Sequence, residues 1–309
     1  MMDLDAHRRR LASLDLGGAM APAPDGVDAR PGEVGYAWDV SAPKPFPKPG
    51  VGKGVLHPAA AAGKFEVARF APSQELAHCV EHYWTVRWHL APGERFEQET
   101  LPYPSLHLVI EHGRSELVGV PTAKFRRVLE GEGRVFAAKF LPGAAQPLFG
   151  GEVSRFNGRH VPLSEVLDVD VTALEHDVLD QRDDLSRAAA LEEHVRALSP
   201  KRDARARLAT RIVAEIEADP TLNQVKTLAE RRGTSARTLE RLLRRYVGVG
   251  PKWIIARFRL QEASEALAAG EDICQLALRL GYADQAHFTR AFRTLVGEPP
   301  ATYAQKNRR

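Results

Sequence analysis

The chain has 309 residues, 44% of them hydrophobic and 27% charged, the make-up of a globular protein with room for two domains that each bury a core. Its net charge of +3 hides an asymmetry: residues 201–309 hold 21 Lys and Arg against 12 Asp and Glu, whereas residues 1–200 hold 22 against 28. Two cysteines far apart, Cys79 and Cys274, exclude a disulfide framework or zinc-knuckle module and fit a reducing cytoplasm, and no apolar run approaches the ~20 residues of a membrane helix.

In chain order, residues 1–55 are dominated by Ala, Pro, Gly and charge. They have little to bury and are expected to be disordered. Arg8, Arg9 and Arg10 precede a few apolar residues, but Asp15, Gly17 and Gly18 interrupt any secretory core. The Gly50-Val-Gly-Lys-Gly54 run lacks the spacing and the Ser/Thr of a phosphate loop and is expected to be a linker.

Residues 56–200 are expected to form a β-rich domain with trailing helices. Short apolar runs separated by Gly and Pro predict strands at 65–70, 83–88, 106–110, 116–120 and 135–140, enough for a small barrel or sandwich able to enclose a ligand. A cap-like Ser73 with Leu76 and Val80 predicts a short helix over 73–79. Residues 163–198 turn helical, with Leu174, Val178, Leu185, Leu191, Val195 and Leu198 as the apolar positions. By position, the helices at 172–198 are the candidate dimer contact.

Residues 201–309 are expected to be all helical. Leu208, Ile212, Val213 and Ile216 define one face of a helix ended by Pro220. A pattern then occurs twice. Leu228, Ala229, Arg231 and Gly233 match Leu276, Ala277, Arg279 and Gly281 at an offset of 48. Leu239, Arg241, Leu243, Arg244, Val247, Gly248 and Pro251 then match Phe288, Arg290, Phe292, Arg293, Val296, Gly297 and Pro300 at 49. Each copy reads as a helix, a glycine turn and a second helix bearing arginines, the layout of a helix-turn-helix. Helices are predicted at 221–232 and 235–246, from Pro251 to about Ala269, at 271–280 and 284–296, and from Pro300. The connecting helix is roughly 27 Å long, which allows the two recognition helices to sit ~34 Å apart, one turn of DNA.

In the first recognition helix Leu239, Leu242 and Leu243 are candidate core, with Arg237, Glu240, Arg241 and Arg244 outward. In the second, Phe288, Ala291 and Phe292 are core, with Gln285, Thr289, Arg290 and Arg293 outward. Arginine grips guanine bidentately, Gln prefers adenine and Glu accepts from cytosine. Arg244 and Arg293, one turn further along, are assigned to phosphate. Cys274, in a helix beside apolar residues, is assigned to packing.

Residues 205–304 resemble the DNA-binding domain of AraC/XylS-type bacterial transcriptional regulators. The similarity rests on Gly281 through Gly297, on Pro299 to Tyr303, and on Pro251 to Ala263 as the start of the linking helix. It implies base contacts at Ala236, Arg237, Glu240 and Arg241, next to Ser235, and at Gln285, Ala286, Thr289 and Arg290. Ala236 and Ala286 are limited to thymine methyls. The N-terminal part resembles, through Tyr83-Trp84, Leu101-Pro102, residues 140–144 and residues 161–163, the uncharacterised domain ahead of this unit in some family members. That implies small-molecule sensing or dimerisation. The expected reading is an α+β chain: a barrel-like β-rich domain, then an all-α tandem helix-turn-helix domain, together a sequence-specific regulator and not an enzyme. Double-stranded DNA is the expected partner, with a possible effector, a possible homodimer and, for an activator, RNA polymerase.

Histidines 78, 82, 89, 107 and 112 raise a metal-site reading. No third ligand accompanies the i, i+4 pair His78 and His82, so no metal or cofactor is expected. Two alternatives stay open: a DNA alkylation-repair or response protein, for which Cys79 is the candidate acceptor, and an architectural protein that binds DNA with little discrimination.

Overall fold

The computed structural model describes residues 56–307; the segment 1–55, with its expected disorder and its glycine-rich linker, lies outside them. The N-terminal part is built on an antiparallel sheet of six strands in the order β1-β2-β7-β4-β5-β8. Its members are β1 (Glu66–Phe70), β2 (Val80–His89), β4 (His107–Ile110), β5 (Glu116–Val118), β7 (Glu132–Phe140) and β8 (His160–Pro162). A separate two-stranded ribbon pairs β3 (Arg95–Thr100) with β6 (Phe125–Glu130).

Alternation along the central strands separates two faces. Tyr83, Phe136, Ala138, Phe140, Leu108 and Ile110 point into the main core. Trp88, Val109, Val135 and Ala137 face the other way, where Leu129 and Phe96 of the ribbon cover them. The sheet is open rather than closed: it is barrel-like only in that the ribbon folds across its second face. Strands β3, β6 and β8 escape a sequence reading because β3 and β6 are charge-rich and β8 is three residues ending in Pro162, tolerated at a sheet edge.

The predicted helix at 73–79 is instead a pair of turns, in which the N–H groups of Leu76 and Ala77 donate to Ser73 O and those of Cys79 and Val80 to Leu76 O. His78 faces the carbonyls of Glu75 and Pro200, while His82 lies on β2, so the two do not share a helix face. The Cys79 thiol is buried, and burial pushes its pKa up to about 12, the opposite of an activated nucleophile.

Short helices α1 (Pro58–Ala61), α2 (Gln146–Phe149) and α3 (Leu163–Val166) flank the sheet. Helices α4 (Val171–Leu179) and α5 (Asp184–Ala197) follow, capped by the side chains of Asp170 and Asp183. The buried Glu175 carboxylate of α4 accepts from Gly113 N and Ser115 Oγ, both at 2.7 Å, and so ties the β4–β5 hairpin to the helix. Leu191 and Val195 are both 0% exposed. They are core residues and not a dimer surface. Leu185, expected inside, stands 71% exposed.

The C-terminal part comprises α6 (Ala204–Ala218), α7 (Val225–Arg231), α8 (Ala236–Tyr246), α9 (Pro251–Ala268), α10 (Ile273–Arg279), α11 (Gln285–Val296) and α12 (Pro300–Asn307). Helix α7 begins four residues later than predicted, because Asp219 holds Thr221 N and Oγ1 in a turn. The main core does not stop at residue 200: it runs from Leu76 through Ile212, Leu228 and Leu243 to Phe258. Thr210 Oγ1 donates to Pro142 O at 2.7 Å, and Tyr103 OH to Glu217 at 2.8 Å. A second core, of Leu260, Leu267, Leu276, Phe288, Phe292 and Tyr303, holds the last helices together. Helix α9 therefore has one half in each core.

A polar group lies on the second face of the sheet. Lys139 donates to Glu81 at 2.9 Å and stands 3.6 Å over the Tyr103 ring, while Trp84 Nε1 donates to His107 Nδ1 at 3.0 Å. Burial first, then the Lys139 charge, lowers the His107 pKa to about 3. Burial opposes ionisation of Glu81, yet His82 and Lys139 bring its pKa down to about 2. An unfolded histidine takes up a proton below about 6.5, whereas folded His107 does so only near 3, so its share of stability is intact above 6.5 and falls as the pH drops toward 3. Glu81 adds a loss between about 4.5 and 2, where the unfolded chain protonates first. The midpoint of urea unfolding should decline from about pH 6.5 downward, by up to about 1.4 kcal/mol per unit from His107. In His107→Gln the slope above pH 4.5 should flatten; an unchanged slope would remove His107 as its source.

Candidate nucleic-acid interface

In the first repeat, Leu228 and Ala229 bury α7 against the core, and Gly233 turns the chain at φ 59°. Ser235 caps α8, its hydroxyl accepting from Thr238 N at 3.1 Å. Helix α8 buries Leu239, Leu243 and Tyr246, with Leu242 half-buried. Ser235, Ala236, Arg237, Arg241 and Arg244 are exposed.

Glu240 departs from its expected outward direction. Its carboxylate accepts from Arg244 Nε, and a Cβ placed on Gly250 would come within 2.4 Å of it. The pair with Arg244 is an i, i+4 contact along one helix face, whereas the approach to Gly250 at the start of α9 is a tertiary contact.

The second repeat is built alike. Asp272 caps α10 by accepting from Cys274 N and Gln275 N, and Gly281 turns at φ 71°. Asp284 caps α11 by accepting from His287 N at 2.7 Å. Helix α11 buries Phe288, Phe292, Leu295 and Val296. Gln285, Ala286, Arg290 and Arg293 are exposed, and Thr289 and Ala291 are half-buried. Cys274 is exposed rather than packed, and its thiol donates to Gln285 Oε1 at 3.0 Å.

The arginines of this region fall into two groups. Arg231 pairs with Asp219 at 2.6 Å, Arg232 donates to Glu215 at 2.6 Å, and Arg279 bridges Glu262 and Glu271; these brace the helices. Arg237, Arg241, Arg290 and Arg293 make no ion pair with any described residue and stand on the exposed faces of α8 and α11. Unpaired, exposed cations along the open faces of two like helices are suited to phosphate and base edges. Exposed Thr238 and His287, absent from the sequence reading, hold the third position of each recognition helix. Their signal was their place two residues past Ala236 and Gln285. Among the described residues no group of three or more His, Cys, Asp or Glu is arranged to hold a metal ion, and no helix is long and apolar enough to cross a membrane.

Residues 228–306 match the family model of a helix-turn-helix domain, and residues 68–162 match a domain of unknown function (DUF6597). The HTH-type transcriptional activator RhaS of Escherichia fergusonii is 33% identical over 81 residues, 26% of this chain and 29% of that protein. The chain thus aligns with less than a third of that relative's length. Among solved structures, an AraC-type transcriptional regulator from Chromobacterium violaceum is 27% identical over 32% of this chain and 89% of its own, with a TM-score of 0.30. ToxT from Vibrio cholerae O395 is 13% identical over 79% of this chain and 97% of its own, with a TM-score of 0.33.

Proposed function

With an AraC-type helix-turn-helix domain at the C-terminal end of the chain, we propose that the protein is a cytoplasmic, sequence-specific transcriptional regulator that reads two adjacent major-groove segments of DNA. The observation that carries this reading is the unpaired, exposed arginine at one matching position of α8 and α11, Arg241 and Arg290. Phosphate contacts supply most of the affinity, and the exposed starts of the two helices supply the discrimination. The N-terminal domain senses a small molecule or pairs two copies, and an activating role adds RNA polymerase as a partner.

Selection of binding sites from a random DNA pool with the full-length chain tests this. A single enriched site with two half-elements about one helical turn apart is expected. Arg241→Ala and Arg290→Ala should each cost ~1–3 kcal/mol on that site and relax preference at the base each one reads. Equal losses on selected and scrambled DNA would restrict both residues to phosphate. No enrichment, with equally salt-sensitive binding to every sequence, would replace the regulator reading by an architectural one.

A further inference from the structure

One unit of the N-terminal domain reaches both reading heads. The β5–β6 loop is hydrogen-bonded to the segment leading into β8: Gly119 N donates to Arg159 O at 3.0 Å and Gly158 N to Val120 O at 2.9 Å. From this pair of loops Asn157 extends to Gly248, where its Nδ2 donates to the carbonyl at 2.7 Å. Lys124 extends to Gly297, where a Cβ would lie 2.7 Å from the ammonium nitrogen. Gly248 and Gly297 are the matching positions of the two repeats. Each is left-handed, at φ 99° and 91°, just past the end of a recognition helix. The Lys124 charge thus stands at the negative end of α11.

The same two loops enclose a cleft of about 240 Å³. Its lining includes Lys124, Arg126, Arg159, His160 and Thr122, with no acidic residue. The carboxylates that balance these groups stand outside it: Glu99 at 2.6 Å from Lys124 and 2.9 Å from Arg126, and Glu116 at 2.9 Å from His160. Arg159 makes no ion pair with a described residue, and its Nη1 reaches only Arg155 O at 3.4 Å. The Phe125 ring stacks on His160, with centroids 5.9 Å apart, and forms an apolar wall. A larger cleft, of about 550 Å³, carries both signs of charge through Glu97, Glu99, Arg126 and Lys306 and shows no preference for one class of ligand.

We propose that the smaller cleft binds a compact anion bearing carboxylate or phosphate groups, and that its occupation shifts Lys124 and with it the second recognition helix. Arg159, with no carboxylate partner among the described residues, gains most from an anion through charge-assisted hydrogen bonds, and Lys124 and Arg126, which share Glu99, line the same cleft. The volume lies below the ~300–1,000 Å³ of sites for drug-sized ligands, so the ligand is small. An anion there competes with Glu99 for Lys124, a side chain that belongs both to the cleft and to the end of α11. The effect on DNA rests on the regulator reading above; the binding of the anion does not.

Calorimetric titration of the full chain with inorganic phosphate, and separately with malonate, at fixed ionic strength tests the site. Saturable binding of at least one anion is expected, weakened about tenfold or more in Arg159→Ala and in Lys124→Met. Arg241→Ala, in the middle of the first recognition helix and outside the cleft lining, should bind the anion like the unaltered chain. No saturable binding of either anion, or equal binding by both cleft variants, overturns the site. On DNA selected by the unaltered chain, saturating anion should change affinity about fivefold or more, and Arg159→Ala should lose that response. Anion binding with no change in DNA affinity overturns the coupling. No DNA binding by the unaltered chain sinks the regulator reading and leaves the titration result standing.

Discussion

Phe292→Ala should cost about 3–5 kcal/mol and split the unfolding of this protein into two steps. Phe292 is 0% exposed, with its ring 5.7 Å from Phe288 and 5.5 Å from Tyr303. Neither neighbour can collapse into the space without vacating its own, so most of the cavity persists. The loss falls on the second core, which is separate from the one that joins the sheet to the first reading head. The described tryptophans, Trp84, Trp88 and Trp253, all lie outside that second core. Urea unfolding followed by circular dichroism should show early helix loss, while tryptophan fluorescence holds until a later transition. Coincident transitions by both probes would mean that the two cores are one cooperative unit.

Gly119→Ala should be as damaging for a different reason. Gly119 has no positive φ, yet a Cβ there would stand 1.7 Å from the backbone oxygen of Phe156 and 2.4 Å from its carbonyl carbon. Backbone cannot rotate out of the way as a flexible side chain can. The 3-10 turn Val153–Phe156 must shift, and with it Val153 and Phe156, both almost fully buried, and the Asn157 contact to Gly248. Roughly 3 kcal/mol or more of stability should go, the upper range for overpacking. Gly131→Ala is the control: its φ of 55° strains an alanine, but nothing lies within 4 Å of the added carbon, so about 1 kcal/mol is expected. A Gly119→Ala chain within 1 kcal/mol of the unaltered protein in urea would show that the 3-10 turn yields easily.

The repeats were legible because each is specified by neighbours in sequence. Ser235 and Asp284 cap the helices that follow them, Gly233 and Gly281 permit the turns, and Leu239, Leu243, Phe288 and Phe292 mark the buried stripe at helical spacing. The long strands β2 and β7 were legible from apolar runs, though β2 extends beyond both predicted ends and β7 begins three residues earlier. The ribbon was not. In β3 only Phe96, and in β6 Phe125, Val128 and Leu129, interrupt charged or polar residues, so neither shows an uninterrupted apolar run. The helices at 172–198, expected by position to be a dimer contact, misled in the other direction: position does not say which surface covers a helix, and Leu191 and Val195 are covered by the protein's own core.

By itself, then, the sequence determined the two repeats, their caps and turns, the basic character of the C-terminal part and the residues at the start of each recognition helix. These depend on interactions within a turn or two of helix. Only the tertiary structure decided that Glu240 turns back to Gly250, that Leu185 faces solvent, and that the core runs through residue 200. It alone brought Asn157 to Gly248 and Lys124 to Gly297. Contacts between segments so far apart in sequence carry no periodic signature, because their partners are chosen by the order of strands and the path of loops. A single residue type at one position, such as Lys124, is compatible with many neighbours until the chain has closed around it.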